Sequence, residues 1–297
     1  MTAAPDPLNT IAAVGSPRRA KRVRLTAFGR FGICVLVLWA VVALVGPWIM
    51  PLGENALPLP DAYQSYLPPQ PGAWLGTDVQ ERDVLTRLIY GASRTLGISL
   101  TATTLAFLVG TVLGVGSALV GGWTDVIVSR GNDAIFSLPT VMLGLIGIAA
   151  FGSSIPTLIG VTGFLFTPVV FRLSRALAME VMTQDFVEAA RLRGEGLLWI
   201  IRAEIWPNIR LPLVSEFGLR LIYIILFISS LSFLGLGIQP PRADWGSMVR
   251  ENLGALQFGT SAVPVLAPAF AIASVTVAIS FIVDDITTAA GRRAPRQ

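Results

Sequence analysis

Charged side chains at helical spacing are concentrated in one stretch of this sequence, residues 184–213, which reads QDFVEAARLRGEGLLWIIRAEIWPNIRLPL. The pattern predicts a helix over 185–193, a glycine break at Gly194 and Gly196, a second helix over 197–206 and a stop at Pro207. The stretch holds acids and arginines but no nucleophile beside a base. It is therefore suited to binding another molecule, and not to covalent chemistry.

The rest of the chain is poor in reactive side chains. There is no histidine, so the usual metal ligand and neutral-pH proton relay are missing. The single cysteine, Cys34, lies in an apolar run, where we expect a buried structural thiol that has no disulfide partner. The single lysine, Lys21, does not follow the glycine-rich turn of a phosphate-binding loop. We expect a non-catalytic chain that itself binds no metal or other cofactor.

The elements that position this loop are membrane spans. Hydrophobic residues make up 53% of the 297 residues, charged residues 13%, and the mean hydropathy is +0.69. Soluble domains carry about 25% charged residues. The net charge of +4 does not indicate nucleic acid, because its meaning depends on which side of the membrane the arginines occupy.

Uncharged runs predict an all-α membrane protein with six spans. They fall at residues 27–50, 96–120, 134–151, 155–173, 213–237 and 263–286. Around them we place a basic tail (1–26), an extracytoplasmic loop with an amphipathic segment at 83–90 (51–95), a core (96–288) that holds the loop 184–212, and a second basic tail (289–297). The first run could also be a signal peptide, but it lacks a small-residue cleavage site, so an uncleaved span is preferred.

The basic residues indicate the orientation. If the N-terminus is cytoplasmic, 17 of the 22 lysines and arginines lie in cytoplasmic segments and five lie outside. The outer five are Arg82, Arg87, Arg94, Arg242 and Arg250. The positive-inside rule then predicts that both termini and the loop 184–212 are cytoplasmic.

Within the loop, Asp185 is placed to cap a helix that starts at Phe186, and Glu188 lies in its first turn. Arg191 is spaced for ion pairs with Glu188 and Glu195. An apolar stripe is expected in the second helix, at Leu197, Leu198, Ile201 and Ile205. These residues alone leave open a pair of interfacial helices that has no partner.

The run Glu188-Ala-Ala, three residues, Gly194, twelve residues and Pro207 resembles the EAA loop of bacterial binding-protein-dependent ABC importers. Other blocks resemble the peptide/nickel permease branch of that family, and within it the C-type dipeptide and oligopeptide permease subunits. They are Leu75-Gly-Thr-Asp78, Arg82-Asp-Val-Leu85, Arg87-Leu-Ile-Tyr-Gly91, Asp133 with Leu138-Pro139, Leu231-Ser-Phe-Leu-Gly-Leu-Gly-Ile-Gln-Pro-Pro241 and Trp245-Gly246. The resemblance covers residues 27–288.

The resemblance implies a type I importer membrane domain in the bacterial inner membrane, which moves di- or oligopeptides by alternating access. Its implied partners are a second permease subunit in a heterodimer, two cytoplasmic ATPase subunits that hold ATP and Mg²⁺, an extracytoplasmic substrate-binding protein and membrane lipids, with no nucleic acid. A short coupling helix in the loop would sit in a groove of the ATPase. The implied coupling residues are Asp185, Glu188, Ala189, Ala190 and Gly194.

The chain departs from the family pattern at four places. Trp206 stands where relatives usually have Leu, Glu81 where they often have Gly, and Ile228 where they often have an acid. The sixth span ends in Val283-Asp-Asp-Ile-Thr287 instead of a Gly-Asp-Gly-Leu-Arg type of run. These differences bear on the cargo and its pathway more than on the fold.

Several residues near the outer end of the fifth span are candidates for an outer gate or pathway, with ordinary helix packing as the alternative. They are Ser229, Ser232, Phe233, Gly235 and Gly237. Asp284 and Asp285 are expected at a solvated helix end. The stretch 54–94 and the loop 239–251 either contact the binding protein or are exposed loops.

Three other functions remain to be weighed. A permease of the same fold for nickel, glutathione or another small solute fits the same motifs. A self-sufficient secondary transporter needs ion-coupling groups within the membrane, and none of the six predicted spans has a charge at its centre. A membrane-embedded enzyme needs a nucleophile and base or a metal cluster, and the sequence offers neither.

Overall fold

The computed structural model describes residues 26–58, 65–257 and 261–291, and the regular elements in these ranges are helices. Most of the two predicted basic tails lies outside the described residues. The helices are α1 (Ala27–Ile49), α2 (Val84–Val120), α3 (Gly122–Phe136), α4 (Thr140–Phe151), α5 (Ile155–Met182), α6 (Asp185–Leu192), α7 (Leu197–Ile200), α8 (Trp206–Phe233), α9 (Trp245–Glu251), α10 (Gly254–Gln257) and α11 (Val263–Gly291), with a π-helical segment, Ile201–Ile205, between α7 and α8.

Five helices in the described ranges are long and apolar enough to cross a membrane, and a bent pair, α3 and α4, raises the number to six if it forms one span. The all-helical prediction is confirmed. The third span predicted at 134–151 is not a single continuous helix, because the chain bends by 89° between Phe136 and Thr140. Pro139 explains the bend, since it has no N–H and disfavours a helical Leu138 before it.

Helix α2 begins well before the predicted second span. Asp83 caps it: its Oδ2 accepts hydrogen bonds from the Thr86 backbone N–H at 2.8 Å and from the Thr86 hydroxyl at 2.6 Å. The first turns of α2 therefore belong to the segment that was predicted as a loop over 51–95. Helix α5 likewise continues to Met182, past the predicted end at residue 173.

The predicted stop at Pro207 is wrong. Helical structure continues from Leu197 through the π-helical segment and Pro207 to Phe233. In the π-helical segment the Trp206 N–H donates to the Ile201 carbonyl, five residues back. The wider turn lies immediately before Pro207, where a regular helix would place the proline ring against a carbonyl. A neighbouring hydrogen-bonding change thus accommodates the proline inside a helix.

Helices α2 and α5 run parallel and pack closely through small residues. A Cβ added to Gly110 would lie 2.9 Å from the Thr167 carbonyl oxygen, and one added to Gly114 would lie 2.6 Å from that of Phe171. Gly163 faces Leu105 in the same way. Such contacts allow membrane helices to gain van der Waals attraction where the hydrophobic effect is weak. This pair forms the centre of the bundle.

Helix α1 is attached to α11 at its N-terminal end. Asp285 accepts hydrogen bonds from the backbone N–H and hydroxyl of Thr26, at 2.8 and 3.1 Å. Asp285 is buried, so the solvated position predicted for it is wrong, whereas Asp284 is exposed. The carboxylate lies at the N-terminus of α1, where the helix dipole favours an anion. It therefore joins the first and last helices.

One face of α1 is exposed and is not covered by the other residues that the structure describes. Cys34 lies on this face and is exposed, so the buried thiol predicted from its apolar surroundings is wrong. The helix meets α11 through its glycines: a Cβ on Gly32 would lie 2.6 Å from the Ala278 carbonyl oxygen. An apolar residue in a membrane helix can face lipid as readily as protein, and sequence does not separate the two.

Candidate functional site

Helix α6 is the first helix of the charged loop. It begins at Asp185, with Gln184 as its N-cap and no side-chain capping bond, so the predicted Asp185 cap is displaced by one residue. Asp185 and Glu188 both lie in the first turn. There, the partial positive charge of the helix N-terminus stabilises both carboxylates without any ion pair.

The C-terminus of α6 is closed at Gly194, as predicted. Gly194 has φ +83°, and its N–H donates to the Arg191 carbonyl at 2.9 Å, while the Glu195 N–H donates to the Ala190 carbonyl at 3.2 Å. This pair of bonds is a Schellman motif, which needs a residue of left-handed conformation at the glycine position. The motif fixes the direction in which the chain leaves α6.

One face of α6 is anchored in the protein. Val187 and Ala190 are fully buried, and Val187 joins an apolar cluster with Val115 of α2 and Ala178 of α5. Ala190 therefore helps to hold the helix in place. The shared cluster attaches α6 to the ends of α2 and α5.

The opposite face of α6 is exposed. Glu188 and Ala189 project outward, and the apolar side chains of Phe186 and Leu192 are 42% and 84% exposed. The ion pairs predicted for Arg191 are absent from the ion pairs of the described residues. We call residues 186, 188, 189 and 192 the α6 outer face.

The stripe predicted for the second loop helix is half right. Ile205 is buried and Ile201 packs against the same apolar cluster, as predicted, whereas Leu197 and Leu198 are exposed, and Ile200 and Ile209 complete the buried face instead. The five-residue step from Ile200 to Ile205 keeps both on one face because the π-helical segment between them adds a residue to the turn. Regular helical spacing could not predict this register.

The second set of candidate residues lies at the outer end of α8, about 40 Å from the loop by the length of that helix. Ser229 and Phe233 line a groove of about 570 Å³ between α8, α9 and α11. Ser232 and Gly237 do not line it. They pack together, and a Cβ on Gly237 would lie 1.8 Å from the Ser232 hydroxyl. Gly235 has φ +91° and ends α8.

A buried ion network at this end was missed from the sequence. Arg82 binds Asp78 at 2.7 Å and Glu251 at 3.0 Å, and Arg87 binds the same two carboxylates at 3.4 and 3.2 Å. The network ties the segment before α2 to α9. The sequence held a partial signal of this burial. Arg87 follows Val84 by three residues on α2, a spacing that places both side chains on the buried face of the helix.

Glu81 adjoins this network and has φ +65°. Left-handed backbone costs a residue with a Cβ roughly 1 kcal/mol and costs glycine nothing comparable. That conformation explains why glycine suits this position in the family that the sequence resembles. The departure at Glu81 is thus tolerated at an energetic cost and leaves the turn intact.

Two ion pairs hold α3 against α5. Arg175 binds Asp125 through two nitrogens, with its Nε at 2.6 Å from Oδ1, and Arg172 binds Asp133 at 2.7 Å. Asn132 is the buried residue of α3, so polar contacts supply much of its attachment. Asp133 was singled out in the sequence, and its partner was not.

Comparison with known proteins identifies the family. A model of the family described as "Binding-protein-dependent transport system inner membrane component" matches residues 106–294. This chain belongs to that family. The matched range holds the whole charged loop, α8 and all of α11, so both sets of candidate residues lie inside it. The predicted kinship with ABC importer permeases is confirmed.

Relatives of this permease family cover most of the chain. The dipeptide transport system permease protein DppC of Alkalihalophilus pseudofirmus is 28% identical over 96% of this chain and 92% of its own length. DppC of Haemophilus influenzae is 28% identical over 87% of this chain and 88% of its own length. The di/tripeptide transport system permease protein DppC of Pseudomonas aeruginosa is 30% identical over 73% of both chains. The chain is a membrane component of a transport system.

Proposed function

We propose that this chain is a permease subunit of an ATP-driven importer of di- or oligopeptides, and that the α6 outer face binds a cytoplasmic ATPase subunit. The observation that carries the proposal is the two-sided character of α6. One side is anchored in the bundle by Val187 and Ala190, and the other presents Glu188 and Ala189 outward. A helix that is held by the bundle on one face and exposed on the other can pass a displacement caused by a bound partner on to the bundle.

The topology supports this assignment. We propose six spans with both termini in the cytoplasm, where α3 and α4 together form the third span. The positive-inside rule places α6 on the cytoplasmic side, where an ATPase would be. A second permease subunit completes the pathway, and an extracytoplasmic binding protein delivers the cargo. The names of the relatives, which are dipeptide and di/tripeptide permeases, support a peptide cargo.

In this mechanism ATP hydrolysis occurs on the partner subunits, and this chain moves. Closure of the ATPase pair displaces α6. Because Val187 belongs to the same apolar cluster as Val115 and Ala178, that displacement is passed to the ends of α2 and α5. The helical run Leu197–Phe233 joins the loop to the groove at Ser229 and Phe233. Small residues on α6, such as Ala189, allow close approach of a partner surface.

The test is a bulky charged substitution on the α6 outer face. Ala189→Arg leaves the bundle intact because Ala189 is exposed, and it blocks a close partner contact. We expect normal membrane insertion, at least about a tenfold loss of ATP-dependent dipeptide uptake and loss of the ATPase from the purified complex. Thr288→Arg is the matched control, since Thr288 is exposed near the cytoplasmic end of α11. Normal uptake by Ala189→Arg, with a normal complex, contradicts the proposal.

A further inference from the structure

The outer end of the chain holds two exposed cations. Arg82, Arg87 and Arg94 are engaged in ion pairs with Asp78, Glu251 and Glu54. Arg242 and Arg250 are exposed, and neither takes part in an ion pair with another described residue. Asp78, Glu251 and Glu54 are already paired with other arginines and Asp244 is buried, so these two guanidinium groups leave a positive potential on this surface.

The backbone around Arg242 is fixed on both sides. On one side the carbonyl of Pro241 accepts a hydrogen bond from Arg87 at 3.4 Å. On the other, the N–H of Ala243 donates to Glu54, and its carbonyl accepts from Arg94 at 3.0 Å. Glu54 also binds Arg94 at 2.7 Å. Three charged side chains that are themselves largely buried thus hold the residues that flank one exposed arginine.

Arg242 lines a pocket of about 340 Å³ between its own loop and the turn from α4 to α5. Ser153, Ser154 and Gln239 also line this pocket. The Gln239 amide is already engaged, donating to the carbonyls of Gly235 and Gly237 at 3.0 and 3.1 Å. The guanidinium is therefore the strong donor of the pocket, and a guanidinium fork matches a carboxylate.

We propose that Arg242 and its pocket receive an acidic side chain, Asp or Glu, of the extracytoplasmic binding protein. The inference rests on the proposed function and goes further, because it names the residue and the chemistry of the contact. Fixing the backbone of the loop before the partner arrives removes the entropy that a mobile loop would lose on binding. The charge complementarity guides docking and sets the register of the binding protein over the groove lined by Ser229 and Phe233.

The test uses the complete transport complex in lipid nanodiscs with its purified, peptide-loaded binding protein. ATP hydrolysis is measured as the binding protein is titrated. Arg242→Glu is expected to raise the half-stimulating concentration by about tenfold or more and to leave basal hydrolysis and complex composition unchanged. Arg250→Glu reverses a charge on the same face but outside the pocket, and it is expected to change the half-stimulating concentration by less than about threefold.

Three results overturn the inference. The first is an equal half-stimulating concentration for the Arg242→Glu and parent complexes. The second is an increase in Arg250→Glu as large as that in Arg242→Glu, which indicates a general electrostatic attraction that does not involve the pocket. The third is an Arg242→Glu complex with an unchanged half-stimulating concentration that takes up C-terminally amidated peptides normally but free-acid peptides poorly. That result would show that Arg242 binds the carboxylate of the cargo peptide and not one of the binding protein. Failure of the proposed function looks different, because the parent complex then shows no stimulation by any binding protein.

Discussion

At the residue scale, neighbouring carboxylates around α9 have different structural roles. Asp78 and Glu251 are paired with arginines, whereas Asp244 is the N-cap of α9. Its Oδ1 accepts hydrogen bonds from the N–H groups of Gly246 and Ser247 at 3.0 and 3.2 Å. Burial raises the pKa of Asp244 above its ordinary value, against the opposing effect of the bonds from Ser247.

The raised pKa of Asp244 predicts a pH dependence. The unfolded chain ionises this carboxyl near pH 4, so stability falls as the pH rises from there towards the pKa of the folded state. Asp244→Asn keeps an acceptor for the cap and does not titrate. We expect this variant to melt a few degrees higher than the parent chain at pH 7 in detergent, with the difference shrinking as the pH is lowered towards about 4.

Asp244→Ala provides the control for capping. It removes the acceptor as well as the charge and is expected to lose about 1 kcal/mol of stability relative to the Asn variant. A difference between Asp244→Asn and the parent chain that widens on acidification would show that the sign of the pKa shift is wrong.

At the element scale, α6 depends on two kinds of signal, one local and one distant. The Schellman motif at Gly194 is local, and the glycine in the sequence predicted it. The buried residues that share a cluster with Val187, in α2 and α5, include one 72 residues away, and no local pattern indicates them. The helix boundaries were therefore predicted well, and the buried face was not.

The anchoring of α6 predicts a difference between adjacent residues. Val187→Ala removes buried methyl groups and is expected to weaken local attachment by about 1.5 kcal/mol, which corresponds to about tenfold faster amide exchange in α6. Phe186→Ala, on the exposed side, is the matched control and is expected to leave exchange unchanged. Hydrogen exchange measured by mass spectrometry decides between them. Equal effects of the two substitutions would contradict the assigned faces.

The limits of sequence prediction are clearest where two distant elements meet. Thr26 and Asp285 are 259 residues apart, and Arg82 and Glu251 are 169 apart. Nothing in the local pattern of either residue indicates its partner.

Pro207 shows the opposite case, because it is a strong local signal for the end of a helix, yet the helix continues through it. A membrane helix offers its backbone few other hydrogen-bond partners, so a π-helical adjustment is favoured over an open chain.

At the scale of the whole molecule, the chain has two specialised ends joined by rigid helices. One end, which we propose to be cytoplasmic, carries α6 with its outer face exposed. The opposite end carries the buried ion network, the fixed loop around Arg242 and the groove at Ser229. Helices α2, α5 and α8 connect the ends and pack through glycines and buried apolar side chains. Such an arrangement lets a displacement at one end reach the other without local unfolding.

The central claim is that α6 contacts an ATP-hydrolysing partner, and site-directed cross-linking tests it most directly. A cysteine replaces Ala189 after Cys34→Ser has removed the native thiol, and the complex is cross-linked in native membranes with and without ATP. We predict one cross-linked polypeptide with ATPase activity, identified by mass spectrometry, whose yield changes with ATP. Cysteines at Thr288 should give no such product. An uncross-linked Ala189→Cys chain that still transports peptide, or one that transports as a lone purified chain, would contradict the account.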